Sequence, residues 1–236
     1  MNAQLPLLLR WPAQQRFETF VSGANGVVLA SLREAATVNA AAWVFLSGPA
    51  GSGKTHLLLA ACAAASADGR SAQYLPLRGA DGDRAGSIRA LGGSELLALD
   101  DVDAIAGNAD AEHALFDLYN RCFVAKSTLL FSASAPLARI GLALPDLVSR
   151  LSACAQARLT PLDDAARRDW LRERARTRGL ALDDAVLDWL FAHHARDLGS
   201  LAALLERVDR AALAAQRRVT VPFLRAMLDS DDGARA

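Results

Sequence analysis

Lysine is nearly absent from this chain: of its 26 basic side chains only Lys54 and Lys126 are lysines. Excess charge is absent too, because 26 acidic side chains match the 26 basic ones. That balance excludes a whole-molecule field of the kind that gathers nucleic acid and leaves only local patches. Cysteine is scarce, and Cys62, Cys122 and Cys154 contain no C-x-x-C pair. An odd, unpaired set reads as buried thiols in a reducing compartment, not as a disulfide framework. No apolar run reaches the 18 residues that a membrane span needs, so no span is expected. The first residues lack the basic start and long apolar stretch of a secretory signal. A soluble, cytoplasmic protein is expected, and no internal repeat is visible. What remains is 236 residues, enough for one large domain or two small ones with a real core. Much of the hydrophobic 52% is alanine, which favours packed helices over a β-sandwich.

Short apolar runs alternate with helical patterns over the first two thirds. WVFLS (43–47), SAQYLPL (71–77), ELLALDD (95–101), TLLFS (128–132) and AQARL (155–159) read as strands. Residues 54–67 and 110–125 carry apolar side chains at helical spacing. This alternation predicts a parallel sheet with helices on both faces. GADGDRAG (79–86) reads as a surface loop. After Pro161 the pattern turns wholly helical, over 163–178, 183–194, 197–216 and 221–228. A boundary near 160 therefore separates an α/β base from a small helical lid.

GPAGSGKT comprises Gly48, Pro49, Ala50, Gly51, Ser52, Gly53, Lys54 and Thr55, and His56 follows. It fits G-x-x-x-x-G-K-[ST] directly after a strand and before a helix, the context that a phosphate-binding loop requires. Its glycines let backbone N–H groups close around phosphates, and the helix amino terminus adds a positive dipole. Lys54 would reach the β- and γ-phosphates and Thr55 would hold Mg²⁺. A chain that uses arginine almost everywhere keeps lysine here, where a compact ammonium fits and a broad guanidinium would crowd. LLALDD (96–101) is the expected partner, an apolar strand ending in acids. Asp100 would serve the Mg²⁺ shell, and Asp101 would orient the attacking water. The bland alternative is a strand end with exposed acids.

These residues together resemble a family. The phosphate loop followed by HLLLAAC (56–62), ALDD (98–101), LPDLVSRL (144–151) and a helical end is similar to the AAA+ domain of the DnaA-related replication proteins. Residues 17–32 resemble the segment that leads into the nucleotide site in that family. Residues 160–190 and 208–228 are similar to the lid of its shorter branch, Hda, which inactivates DnaA. The likeness covers nearly the whole chain. It implies an AAA+ P-loop NTPase fold, α/β, with a parallel five-stranded sheet flanked by helices and a small C-terminal all-helical lid. The expected divisions are a tail with lead-in segment (1–22), the base (23–160), the lid (161–229) and a disordered tail (230–236). DnaA itself continues into a helix-turn-helix domain; here only DSDDGARA is expected after the last helix.

Several roles follow from the resemblance alone. Arg150 matches the arginine finger, which projects onto the γ-phosphate of a neighbour; a salt bridge at a helix end is the bland alternative. Arg196 matches the lid sensor arginine, and its bland alternative is a pair with Asp197. Ser134 stands where DnaA carries an acidic sensor residue, so Ser132 or Ser134 would bond a phosphate or water instead. Asp101 stands where related ATPases often have glutamate, and its shorter reach implies slow hydrolysis. Gln4, Leu5, Leu7, Leu8 and Leu9, in QLPLLL, resemble the peptide by which bacterial proteins bind the β sliding clamp of DNA polymerase III. Pro6 would stiffen an extended segment while the leucines enter an apolar cleft. A tail folded over the base's own apolar surface is the alternative.

The resemblance thus implies a regulator that holds ADP or ATP with Mg²⁺, docks on DNA-loaded clamp and stimulates hydrolysis of DnaA-bound ATP. Its own ATPase activity would be weak or absent. DnaA, the clamp and, through the clamp, DNA are the partners implied; no membrane contact is expected, and self-association stays open. A DnaC-type helicase loader is the alternative, but it calls for an aromatic and basic cluster for single strands that this sequence does not show. A small-molecule kinase would need no finger for a neighbour. The arginines of 167–178 alternate with acids and read as a solvated face. His193 and His194 read as a helix end, and Trp43, Trp170 and Trp189 as packing residues.

Overall fold

The computed structural model describes residues 11–38, 43–79 and 82–233. The chain divides into two compact units, Met1–Pro161 and Leu162–Ala236. The first holds a five-stranded parallel sheet of β1 (Val44–Ser47), β2 (Ala72–Pro76), β3 (Leu96–Asp100), β4 (Thr128–Ala133) and β5 (Ala155–Arg158), ordered β2-β3-β4-β1-β5. Strand residues alternate between two cores, as a two-residue period requires. Phe45, Leu97, Leu99, Leu129 and Phe131 face a layer containing Ile88, Leu115, Leu118 and Leu147. Val44, Leu46, Leu96, Ala98 and Leu130 face Leu32, Leu57, Leu58 and Ala61. Burial on both faces explains why β1, β3 and β4 read as unbroken apolar runs.

The helices of this unit are α1 (Gly26–Thr37), α2 (Lys54–Ala67), α3 (Arg84–Ala90), α4 (Ala109–Ala125) and α5 (Pro145–Ser152). The loop expected over 79–86 is shorter than that: Arg84, Ala85 and Gly86 begin α3, which Asp83 caps through a bond from Gly86 N at 2.7 Å. Ala85 and Ile88 are buried, and that anchorage turns the polar stretch helical. Residues 11–22, grouped with the tail on sequence grounds, belong with the base. Phe17 is in the core, and the Trp11 indole donates to Ser66 Oγ at 2.8 Å. The three cysteines are buried and free. Burial pushes Cys62 and Cys154 up to about 12 and Cys122 to about 11, so none is a ready nucleophile or metal ligand.

The second unit contains α6 (Asp164–Arg176), α7 (Asp184–His193), α8 (Leu198–Ala215) and α9 (Val221–Gly233) around Leu171, Leu187, Leu201, Leu205 and Leu224. α9 continues past the expected end at 228, so 230–233 are helix and not tail. Residues 234–236 lie outside the described residues. Asp163, Asp183 and Asp197 each cap a helix by accepting the backbone N–H three residues on. The α6 arginines are paired as a solvated face: Arg168 with Asp188, Arg172 with Asp169 and Asp184, Arg176 with Glu173. His194 ends α7, and His193 bonds Trp189 O at 2.8 Å. Among the described residues no helix is long and apolar enough to cross a membrane.

Candidate nucleotide site

All five strands run the same way, so their carboxyl ends lie together. Ser47–Gly48, Asp100–Asp101 and Ala133–Ser134 meet there, at the edge where open parallel sheets bind ligands. The loop Gly48–Gly53 leaves β1 and turns into α2. Gly51 and Gly53 have φ of +72° and +94°, in the left-handed region that only glycine enters cheaply. α2 starts on Gly53 with no side-chain cap, which leaves its first turn to an anion.

Two observations fit a phosphate in this loop. The Ser52 hydroxyl is buried without a hydrogen-bond partner, a state that proteins rarely leave uncompensated. Lys54, although charged, is only 8% exposed. Its Nζ donates to the carbonyls of Gly48 (2.8 Å) and Pro49 (3.0 Å), which holds the ammonium inside the loop. Gly53 also meets a steric limit, since a Cβ there would lie 2.6 Å from Phe20 Cε2. Gly53→Ala is therefore expected to lower nucleotide affinity at least tenfold, roughly 1.4 kcal/mol. Gly69→Ala, also at positive φ (+80°) but in open space, is the control. It should cost only the left-handed strain of about 1 kcal/mol in stability and leave affinity intact. Titration with a fluorescent ADP analogue reads both.

The acids at the end of β3 have different surroundings. Asp100 is 2% exposed, so the exposed strand end does not describe it. It accepts Thr55 Oγ1 at 2.6 Å, Tyr74 OH at 2.8 Å and the Ser132 hydroxyl. Thr55 donates its proton to Asp100, so its oxygen lone pairs stay available to a cation. Thr55 and Asp100 thus suit a Mg²⁺ ion held mainly by phosphates, which needs few protein ligands. Among the described residues no group of three or more His, Cys, Asp or Glu is placed to hold a metal alone. Asp101, at φ +58°, pairs with Arg78 Nε at 3.2 Å. Burial and the neighbouring Asp100 raise its pKa, and Arg78 opposes them.

The remaining sequence candidates separate. Ser134 donates from both its N–H (3.0 Å) and its hydroxyl (2.8 Å) to Asp103, while Ser132 is the serine on Asp100. The His56 ring lies 2.9 Å from Arg16 O and 5.5 Å from the Phe20 ring centre, tying the lead-in segment to α2. Arg196, in the second unit, binds Asp164 (2.7 Å) and Phe191 O (2.9 Å) instead of Asp197. Asp197 is already engaged, capping α8 through Ser200 N. Gln4, Leu5, Leu7, Leu8 and Leu9 lie outside the described residues.

Arg150 lies at the opposite end of the sheet from the phosphate loop. α5 runs into β5, whose first residue bonds Trp43 O just before β1. The Arg150 guanidinium sits 5.8 Å from the Tyr119 ring centre, and Tyr119 lies 4.5 Å from Trp43. The length of β1, roughly 10 Å at 3.3 Å per residue, therefore stands between this arginine and the start of the loop. Arg150 is exposed, and no carboxylate among the described residues forms an ion pair with it. Tyr74, Arg78 and Asp103 are site residues that sequence reasoning missed; Tyr74 carried no signal beyond its place in a strand.

The family model described as Hda, lid domain, matches residues 164–228. Domain III of the Thermotoga maritima replication initiation protein DnaA superposes with a TM-score of 0.77 at 18% identity, covering 94% of this chain and 98% of that one. AMPPCP-bound DnaA from Aquifex aeolicus gives 0.68 at 20% identity, covering 83% of this chain and 65% of that one. The Thermotoga maritima RuvB branch migration motor gives 0.65 at 16% identity, covering 93% and 72%. This chain thus spans about two thirds of the Aquifex initiator's length, and at such identities the likeness establishes the fold alone. Residues 164–228 thus match the Hda lid domain, and the first unit has the fold of the DnaA AAA+ domain, so the chain is similar to the Hda- and DnaA-related AAA+ proteins.

Proposed function

We propose that this chain regulates replication initiation by presenting Arg150 to ATP held by DnaA, so that the bound ATP is hydrolysed. The chain's own base holds ADP or ATP with Mg²⁺ through Lys54, Thr55 and Asp100, and that nucleotide serves mainly to set its shape. Asp101 is short and paired with Arg78, which keeps hydrolysis of its own nucleotide slow. Docking through Gln4–Leu9 on the β sliding clamp couples the reaction to DNA that is already being copied. One observation carries the reading. Arg150 is exposed, unpaired among the described residues and a strand's length from its own phosphate loop, a placement that suits a neighbour's γ-phosphate.

The test loads DnaA with labelled ATP, adds DNA-loaded clamp and this chain, and follows ADP. Hydrolysis is expected to accelerate with wild type. The Gln4→Ala, Leu7→Ala double variant should lose both clamp binding and acceleration. Wild type that leaves DnaA-bound ATP intact would sink the reading. A double variant as active as wild type would remove the docking role from the tail.

A further inference from the structure

The buried carboxylate of Asp100 is held by three hydroxyls from three different elements. Thr55 comes from α2, Tyr74 from β2 and Ser132 from β4. A carboxylate has about four lone-pair sites. Oδ2 takes Thr55 (2.6 Å) and Tyr74 (2.8 Å), and Oδ1 takes Ser132. One lone pair is left, on Oδ1. Ser132 is itself oriented, since its oxygen accepts Asp101 N at 2.9 Å. The Asp100 plane is therefore fixed from both sides, with Thr55 beside it.

We infer that Tyr74 is a positioning residue for the metal-side carboxylate: its hydroxyl orients Asp100 so that the free lone pair and the Thr55 oxygen face one cation position. Tyr74 reaches this place because β2 pairs in parallel with β3. Its Cα partner is Ala98, two residues before Asp100, so both side chains lie on one face of the sheet and the long phenol spans the offset. Phenylalanine would keep the ring and its packing while removing the one bond from β2. Asp100 would then turn more freely about its last side-chain torsion, and cation affinity falls when such an outer partner is lost, typically 10- to 100-fold.

The inference rests on the reading of Thr55 and Asp100 as the Mg²⁺ side of a nucleotide site. Its test is calorimetric titration of ADP into the full chain, once with Mg²⁺ and once with a chelator, for wild type, Tyr74→Phe and Ser132→Ala. Wild type should bind ADP more tightly with Mg²⁺. Tyr74→Phe should lose about tenfold of that Mg²⁺-dependent gain while its metal-free affinity stays close to wild type. Ser132→Ala should show a loss of the same kind, because it frees the other oxygen. An unchanged Mg²⁺-dependent gain in Tyr74→Phe overturns the positioning role. Equal loss with and without Mg²⁺ also overturns it and assigns Tyr74 to packing. Wild type that fails to bind ADP under either condition defeats the nucleotide reading itself, a result distinct from both.

Discussion

Arg150→Ala is expected to leave nucleotide binding and stability near wild type and to reduce stimulation of DnaA-bound ATP hydrolysis about a thousandfold or more. The magnitude follows from what a finger does: it places fixed positive charge where negative charge grows in the transition state, in a site from which water is excluded. The small effect on the chain itself follows from its surroundings. Arg150 is exposed, forms no ion pair among the described residues, and gains only its contact with the Tyr119 ring. An exposed contact of that kind contributes about 0.5–1 kcal/mol. Arg150→Lys should recover little, because an ammonium on a shorter reach cannot reproduce the planar fork. Two measurements made together decide the matter: single-turnover hydrolysis of ATP on DnaA, and ADP affinity of the variant. Wild-type stimulation by Arg150→Ala would remove the finger. Loss of ADP binding by the same variant would mean that Arg150 serves its own site, against the separation that the sheet imposes.

How far the site could be read from sequence depends on whether its parts are local. The phosphate loop was legible because Gly48 to Thr55 are contiguous and each residue type has its own reason to be there. β1, β3 and β4 were legible because two buried faces leave apolar runs of four to six residues. α1, α3 and α5 were not anticipated, since α3 and α5 are only seven and eight residues long and α1 begins on glycine. Such helices form because the sheet offers them a face, as Leu32, Ile88 and Leu147 show by their burial. Tyr74 was invisible because its partner is fixed by strand pairing, 26 residues away. The pairing of Arg196 with Asp164 was hidden for a related reason: Asp197 looked available in sequence but is spent on the helix cap.

Glu112→Ala should destabilise the base by about 4 kcal/mol. Glu112 is 1% exposed yet forms no salt bridge among the described residues. Its carboxylate instead accepts three backbone N–H groups: Gly107 (2.8 Å) on one oxygen, Ala143 (2.9 Å) and Leu144 (2.7 Å) on the other. Placement in the first turn of α4 adds a favourable helix dipole. Removing the side chain strands three amides whose desolvation costs about 1–3 kcal/mol each, offset where water can enter. A loss of that size matters against the 5–15 kcal/mol that typically holds a domain together. Glu112→Gln keeps one acceptor oxygen but turns an NH₂ toward backbone donors, so it should fall between alanine and wild type. Ala143 and Leu144 immediately precede α5, so the same carboxylate anchors the helix that carries Arg150. Urea unfolding should show the stability loss, and hydrogen exchange should show faster exchange at the amides of Gly107, Ala143 and Leu144. Stimulation of DnaA should weaken in Glu112→Gln through a loosened α5, with ADP affinity preserved because Glu112 bonds Gly107, Ala143 and Leu144 and no residue of the phosphate loop. A midpoint equal to wild type for Glu112→Ala would show that water satisfies these amides unaided, and the anchoring of α5 would then have to come from Leu147 and Leu151 alone.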